Sequence, residues 1–150
     1  MTIGDICQRN VVVAPKTEMI VDAAKRMRTS HVGDLVIVEA RGERQVPVGI
    51  LTDRDIVVGG LAGDPGHLTY LLVSDLMTSN LITAEEHESI EAALMKMQEH
   101  GVRRLPVIDS EGALVGILTL DDILQFFTSQ QNVLVGLVTR EQQRERQHRT

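Results

Sequence analysis

The stretch GILTDRDI, at residues 49–56, returns later in the chain as GILTLDDI at residues 116–123. Six of the eight residues are identical and stand in the same order. Each copy has the pattern of a buried strand that ends in a threonine and passes through an acidic turn into a helix. Two copies of this turn within 150 residues indicate a duplicated architecture.

The repetition extends far beyond these two stretches. An offset of 70 aligns nine identical residues within positions 5–39, namely Asp5, Asn10, Ala14, Glu18, Ile20, Ala23, Met27, Val32 and Leu35 with their later counterparts. Near residue 45 the offset falls to 67, which aligns the two GILT motifs. The change of three residues lies where a hairpin loop is expected, and loop length can change there at little cost.

Both halves predict the same order of elements: strand, helix, strand, strand, helix. The β-branched runs NVVVA and NLITA predict the first strands, and apolar residues at helical spacing follow each of them. DLVIVE and RLPVID predict middle strands, with VPVGILT and ALVGILT as their hairpin partners. The last helix of each half is expected to begin near Asp55 or Asp122.

A half of about 60 residues cannot cover its own apolar surface, so the two halves should pack together about a pseudo-twofold axis. The predicted fold is α/β, of the mixed α+β kind, with two βαββα repeats. We expect a first repeat at 1–62, a linker with Gly and Pro breakers at 63–74, and a second repeat at 75–128. Residues 129–150 form a C-terminal extension that is helical or partly disordered.

Composition and charge exclude several classes of protein. Hydrophobic residues make up 43% of the chain, but the aromatic ones are only Tyr70, Phe126 and Phe127, so the core must be aliphatic. The net charge of -6 argues against a general binder of nucleic acid. No apolar run reaches the roughly 20 residues that cross a bilayer, and the N-terminus lacks the pattern of a signal peptide. We expect a cytoplasmic protein, and the single Cys7 suits a reducing compartment.

Both halves resemble the repeats of the tandem cystathionine β-synthase (CBS) domain pair, or Bateman module, of the stand-alone bacterial type. The motifs that carry this resemblance are NVVVAPKTEMIVDAAKRM, HVGDLVIVE and VGILTDRDI, then MTSNLITAEEHESIEAALMKM, HGVRRLPVID and VGILTLDDI. They cover about residues 3–128. The resemblance implies two βαββα units with two clefts between them. It also implies an adenosine-containing ligand (AMP, ADP, ATP, S-adenosylmethionine or a dinucleotide such as NAD) whose binding regulates an associated protein.

The repeated turn suits such a ligand. A carboxylate on the first turn of a helix is held ionised and oriented, and can accept both hydroxyls of a ribose. The resemblance therefore implies that Thr52 with Asp55, and Thr119 with Asp122, contact ribose and phosphate in the two clefts. The alternative is that both aspartates only cap helices and both threonines satisfy local backbone groups.

Further contacts follow from the resemblance. The first strands, 11–14 and 81–84, are expected to form the walls of an adenine site. The candidate wall residues are Val12, Val13, Ile82 and Thr83, with Val36 and Pro106 on the middle strands. The alternative for each of these residues is ordinary core packing. The candidate phosphate partners are Arg54, Arg103, Arg104 and His31, although a surface Arg is usually a solvated charge. Asp34 aligns with Arg104 and is expected to repel phosphate, so the two clefts should differ.

The leading hypothesis is a non-enzymatic ligand sensor, and the alternative is a structural dimer that has lost the ligand. No cofactor is required, although paired carboxylates could bind Mg²⁺ with a nucleotide. Five His and one Cys show no metal-ligand spacing, and there is no phosphate-binding glycine loop, so an enzyme is disfavoured. We expect a homodimer that uses the apolar helix faces around Ala23, Met27, Ala93 and Met97, unless the core consumes those faces.

Overall fold

The computed structural model describes residues 1–149 of the chain and contains two similar three-stranded sheets with their helices. The first half comprises α1 (Ile3–Ile6), β1 (Val13–Ala14), α2 (Ile20–Ser30), β2 (Asp34–Arg41), β3 (Arg44–Thr52), a π-helix (Asp55–Leu61) and a 3₁₀ helix (Pro65–Tyr70). The second comprises α3 (Val73–Leu76), β4 (Ala84–Glu85), α4 (Ile90–His100), β5 (Arg104–Ile108), β6 (Leu114–Thr119) and α5 (Leu120–His148). This order confirms the two predicted βαββα repeats.

Each sheet has its middle strand at the centre. The orders are β1-β2-β3 and β4-β5-β6, with the first strand parallel and the third antiparallel to the middle one. The first strands are shorter than predicted, because only two residues of each pair with the middle strand. These strands lie at an edge with a partner on one side only, so the ladder ends wherever the chain leaves that partner.

The apolar faces of α2 and α4 are consumed by the core. Ala23 and Met27 are 0% and 6% exposed, and Ala93 and Met97 are 0% and 5% exposed. Each pair packs with the aliphatic residues of its own sheet. These four residues are therefore not available to a second chain, as the stated alternative expected, whereas Met95 of α4 is 69% exposed.

The two halves exchange their leading helices. Ile3 of α1 is fully buried in the core of the second repeat, whereas Val73 of α3 is fully buried in the core of the first. After α1, the backbone of Gln8 forms two hydrogen bonds with Ile117, both of 2.9 Å. After α3, Thr78 pairs with Ile50 in the same way, at 2.9 and 3.1 Å. The sheet of the second repeat is thus extended by the segment around Gln8, and the sheet of the first repeat by the segment around Thr78.

This exchange explains the glycine of the repeated GILT motif. A Cβ at Gly49 would lie 2.8 Å from the carbonyl oxygen of Thr78, and one at Gly116 would lie 2.8 Å from that of Gln8. Backbone cannot move aside as a flexible side chain can. Glycine is therefore needed at both positions for the exchanged segments to approach β3 and β6.

A third apolar cluster joins the two sheets. Val36 and Val38 of β2 pack with Ile117 of β6, and partly buried residues around them are Val11, Val13 and Leu114. Because members come from both repeats, this cluster is the seam on which the predicted pseudo-twofold packing rests.

The helix α5 continues well past the body. Residues 129–148 are helical, and every residue from 127 to 149 is exposed. At about 1.5 Å per residue, this part of α5 is about 30 Å long. Thr150, the last residue of the predicted extension, lies outside the described residues.

Candidate ligand-binding clefts

Both threonine–aspartate turns form reciprocal capping boxes. The amide of Asp55 donates to Oγ1 of Thr52 at 3.1 Å, and the amide of Thr52 donates to Oδ2 of Asp55 at 2.9 Å. In the second repeat the same bonds join Asp122 and Thr119 at 3.2 and 3.0 Å. The capping alternative for these residues is therefore present in the structure. It fixes each carboxylate at the start of a helix, where the helix dipole favours a negative charge.

The second carboxylate oxygen distinguishes the two turns. Oδ1 of Asp122 accepts a hydrogen bond of 3.1 Å from Nε2 of Gln8, which arrives on the exchanged N-terminal segment. Among residues 1–149, no donor is recorded for Oδ1 of Asp55. The carboxylate of Asp55 is therefore open to a further donor, whereas that of Asp122 must first release Gln8.

The aligned residues Asp34 and Arg104 contact each other. Oδ2 of Asp34 lies 2.9 Å from Nη1 of Arg104, and the two side chains are 23% and 34% exposed. Nε of Arg104 is buried and has no hydrogen-bond partner among the described residues. The sequence predicted that Asp34 repels phosphate. In the structure the carboxylate of Asp34 also neutralises Arg104, the residue that was expected to attract phosphate.

This ion pair lies between the two turns. Asp34 is paired with Thr52 in the register of β2 and β3, and Arg104 is paired with Thr119 in the register of β5 and β6. The pair therefore crosses from the first repeat to the second at the point where both capped turns begin.

Two small clefts border the ion pair. One, of about 180 Å³, is lined by Gln8, Asn10, Val11, Val12, Val32, Asp34 and Ile117. The other, of about 150 Å³, is lined by Arg103, Arg104, Thr119, Leu120 and Asp121. Ligand pockets usually occupy about 300–1,000 Å³, so each cleft is small for a nucleoside. Asp34 belongs to one cleft and Arg104 to the other, so their ion pair forms part of the wall between them.

The expected adenine walls divide into cleft and core residues. Val12 lines the larger cleft, and Val13 packs in the seam between the sheets. Ile82 packs against the core of the second repeat, while the carbonyl oxygen of Thr83 accepts a hydrogen bond from Lys96 at 3.1 Å. Val36 and Pro106 are both buried.

The remaining cationic candidates are more exposed. Arg103 lines the smaller cleft, and its carbonyl oxygen accepts the amide of Leu120 at 2.8 Å. Arg54 is exposed within the first-repeat turn, directly before Asp55. His31 is also exposed and ends α2 in a left-handed conformation, with φ of 54°. Arg104 is thus the candidate cation with an ion-pair partner from the other repeat.

Two features of the site were missed at the sequence level. Gln8 was not a candidate, and the contact between Asp34 and Arg104 was not foreseen, although their alignment had marked the position. A comparison of the repeats shows which residues are equivalent. It does not show that the pseudo-twofold axis brings two equivalent positions against each other.

A family model described as CBS domain matches residues 3–59 and 73–129. The chain belongs to the CBS domain family. Its relatives include Hypoxic response protein 1 of Mycobacterium tuberculosis, which is 40% identical over 81% of this chain and 82% of its own length. The uncharacterized protein MK0525 of Methanopyrus kandleri is 35% identical over 83% of this chain, which spans only 62% of that protein's length.

Solved structures of CBS domain pairs share the fold. The CBS domain pair of protein MJ0100, in complex with 5′-methylthioadenosine and S-adenosyl-L-methionine, aligns with a TM-score of 0.73 and 30% identity over 87% of this chain and 98% of that one. Hypoxic Response Protein I with two coordinated zinc ions aligns with a TM-score of 0.68 and 37% identity, over 83% and 98% of the two chains. Within residues 1–149 of the present chain, no three His, Cys, Asp or Glu side chains are grouped as a metal site would require. None of the helices in that range combines the length and apolar character of a membrane span.

Proposed function

We propose that this protein is a non-enzymatic regulatory module of the cytoplasm that senses an adenosine-containing ligand between its two CBS repeats. AMP, ADP, ATP, S-adenosylmethionine and NAD belong to the candidate class. Binding would change how the repeats sit against each other and so signal to a partner protein. The observation that carries this proposal is the ion pair of Asp34 and Arg104, which joins the two capped turns across the repeats.

The capped turns supply the ribose site. Oδ2 of Asp55 is held by the amide of Thr52, which fixes the carboxylate, and its Oδ1 would accept the ribose hydroxyls. Thr52 and Thr119 use their hydroxyl oxygens as acceptors and keep their hydroxyl protons for a phosphate oxygen. The 30% identical MJ0100 pair, whose structure contains two adenosine derivatives, supports this class of ligand.

The ion pair supplies a way to couple binding to a change of shape. A ligand phosphate would compete with Asp34 for Arg104, and the loss of the ion pair would open the wall between the two small clefts. Asp34 lies on β2 and Arg104 on β5, so this exchange alters a contact between the repeats. A ligand shifts a conformational equilibrium only through such differential contacts.

A thermal-shift screen tests the proposal. The full chain is heated with AMP, ADP, ATP, S-adenosylmethionine, 5′-methylthioadenosine, NAD or adenosine, each with and without Mg²⁺. A ligand at about 100 times its dissociation constant stabilises the native state by about 2.7 kcal/mol. We expect at least one adenosine ligand to raise the melting temperature, and 2′-deoxyadenosine to raise it less than adenosine because it lacks one ribose hydroxyl.

A second function is favoured by the occupied carboxylate of Asp122. Its oxygens accept hydrogen bonds from Thr119 and Gln8, as they would in a protein that uses this turn for folding alone. In this alternative the chain is a structural dimer of the CBS fold. A stable dimer that shows no thermal shift with any ligand of the panel would support the alternative and contradict the sensor.

A further inference from the structure

The ion pair of Asp34 and Arg104 separates two clefts of opposite charge. Among the described residues that line the larger cleft, Asp34 is the only charged one, and the others are apolar or carry neutral amides. The smaller cleft is lined by Arg103 and Arg104 against the single carboxylate of Asp121. Once the ion pair is broken, the larger cleft is therefore negative and the smaller one has a positive excess.

Two further carboxylates lie on the side of Asp34. Oδ2 of Asp53 is 3.2 Å from the position that a Cβ on Gly33 would take, directly before Asp34 in the chain. Oδ1 of Asp122 is bonded to Gln8, which lines the same cleft as Asp34. The ion pair is the one contact with a cation that Asp34 makes within residues 1–149. Loss of this contact leaves a partly buried carboxylate without its cation, which is costly.

We propose that the two clefts take adenosine ligands of opposite charge, a phosphorylated one beside Arg104 and a cationic one beside Asp34. A sulfonium, as in S-adenosylmethionine, is a cation of the required kind. The coupling rests on the proposed sensor, and it makes each ligand raise the affinity for the other. Either ligand must break the same ion pair, whose Oδ2 and Nη1 atoms lie 2.9 Å apart. The first ligand bears the cost of that break, and the second then meets a charge that is already free.

The two effects must be equal, because coupling between binding sites is reciprocal. Each ligand should tighten the binding of the other about two- to fivefold, which corresponds to about 0.4–1 kcal/mol, within the range of a partly exposed ion pair. Two anionic ligands gain no such benefit, because the second phosphate would lie beside Asp34. The charges therefore favour one anion with one cation over two copies of the same nucleotide.

The first test measures the charge preference of the larger cleft. S-adenosylmethionine and S-adenosylhomocysteine differ by one methyl group and its sulfonium charge. We expect calorimetry on the full chain to show that S-adenosylmethionine binds at least threefold more tightly, and that Asp34→Asn binds both ligands alike. Asp22→Asn, which removes an exposed carboxylate of α2 outside both clefts, should keep the parental preference. Equal parental affinity for both ligands, or a preference that survives Asp34→Asn, would overturn the assignment.

The second test measures the coupling with inorganic pyrophosphate, an anion that needs no adenosine site. Pyrophosphate is titrated into the full chain with and without saturating S-adenosylmethionine. We expect the cation to tighten pyrophosphate binding two- to fivefold in the parent and in Asp22→Asn but not in Asp34→Asn, and Arg104→Ala to weaken it at least tenfold. Unchanged or weaker pyrophosphate binding beside S-adenosylmethionine would overturn the coupling and leave the sensor standing. Failure of every adenosine ligand to bind would contradict the sensor, and the coupling with it.

Discussion

The turn at Thr52 and the turn at Thr119 differ by only 0.1 Å in each of their two capping hydrogen bonds, which measure 2.9 and 3.1 Å in the first repeat and 3.0 and 3.2 Å in the second. The helices that follow the two turns differ. The first turn leads into a π-helix of 7 residues, and the second into an α-helix of 29. The shared geometry starts a helix in both repeats. In the proposed sensor, a difference in ligand choice between the two clefts must therefore come from the residues that differ.

Charge is the clearest of these differences. Beside the first turn lies Asp34, beside the second lies Arg104, and the two neutralise each other across the repeats. Such partly exposed pairs contribute little to stability, about 0–1 kcal/mol. The pair is thus weak enough for a ligand to break, which suits a contact that changes on binding.

The largest expected effect is that of Arg104→Ala on phosphorylated ligands. A hydrogen bond to a charged group contributes about 1.5–3 kcal/mol, so AMP, ADP or ATP should bind roughly 10- to 100-fold more weakly. Adenosine should bind as before because it has no phosphate. Added salt should reduce the difference in nucleotide affinity between the parent and the variant, because salt screens the charge of Arg104. Titration calorimetry measures both affinities, with Arg28→Ala as a control for the loss of one exposed positive charge outside the two clefts. Parental affinity of Arg104→Ala for every nucleotide would make Arg104 a merely structural charge.

The next effect separates the two turns. Asp55→Asn should weaken adenosine binding about tenfold, which corresponds to about 1.4 kcal/mol for a lost ribose contact. Asp122→Asn should weaken it less, because Gln8 already occupies one oxygen of Asp122. Asn also caps helices, so both variants should keep the parental melting temperature.

Substitution of Gln8 tests whether this residue causes the difference between the two turns. In Gln8→Ala, Oδ1 of Asp122 loses its donor, and the effect of Asp122→Asn should rise toward that of Asp55→Asn. Equal effects of both aspartate substitutions in the parent would show that Gln8 does not distinguish the clefts.

A smaller effect of opposite sign is expected for Asp34→Asn. Removal of its charge frees Arg104 from an ion pair that is worth at most about 1 kcal/mol, so phosphorylated ligands should bind up to about fivefold more tightly. Adenosine affinity should not change. Calorimetry that shows weaker nucleotide binding by Asp34→Asn would mean that Asp34 contacts the ligand itself.

The smallest effect concerns stability and another unequal pair of equivalent positions. His31 ends α2 with φ of 54°, where the second repeat has Gly101 with φ of 62°. A left-handed conformation costs a residue with a side chain about 1–2 kcal/mol, so His31→Gly should stabilise the protein by about 1 kcal/mol. In a chain of this length that is a rise of about 2–4 °C in melting temperature. Gly101→Ala, the matched reversal, should lower it.

The sequence predicted the repeated architecture because its signals are local or periodic. The helical spacing of Ile20, Ala23 and Met27 and the runs around the GILT motifs depend on neighbours in the chain. The exchange of α1 and α3 left no such signal, because it depends on which sheet each short helix meets. The π-helix was missed for a similar reason: the sequence predicted a helix that begins near Asp55, but the pattern does not specify which hydrogen bonds that helix forms.

The candidate site was likewise predicted from the sequence only in part. The threonine–aspartate turns were visible as motifs, and their capping role was foreseen as an alternative to ligand binding. The contact between Asp34 and Arg104 joins residues 70 positions apart and needs the packing of both sheets. Their alignment showed opposite charges at equivalent positions, and only the three-dimensional structure shows that these charges meet.

The most direct test of the sensor is a calorimetric titration of the full chain with each adenosine ligand, alongside the double variant Asp55→Asn, Asp122→Asn. The account predicts saturable binding of at least one ligand to the parent, and binding at least tenfold weaker in a double variant that melts at the parental temperature. Absence of binding to the parent, or equal affinity in both proteins, would contradict the claim that the two capped turns hold an adenosine ligand.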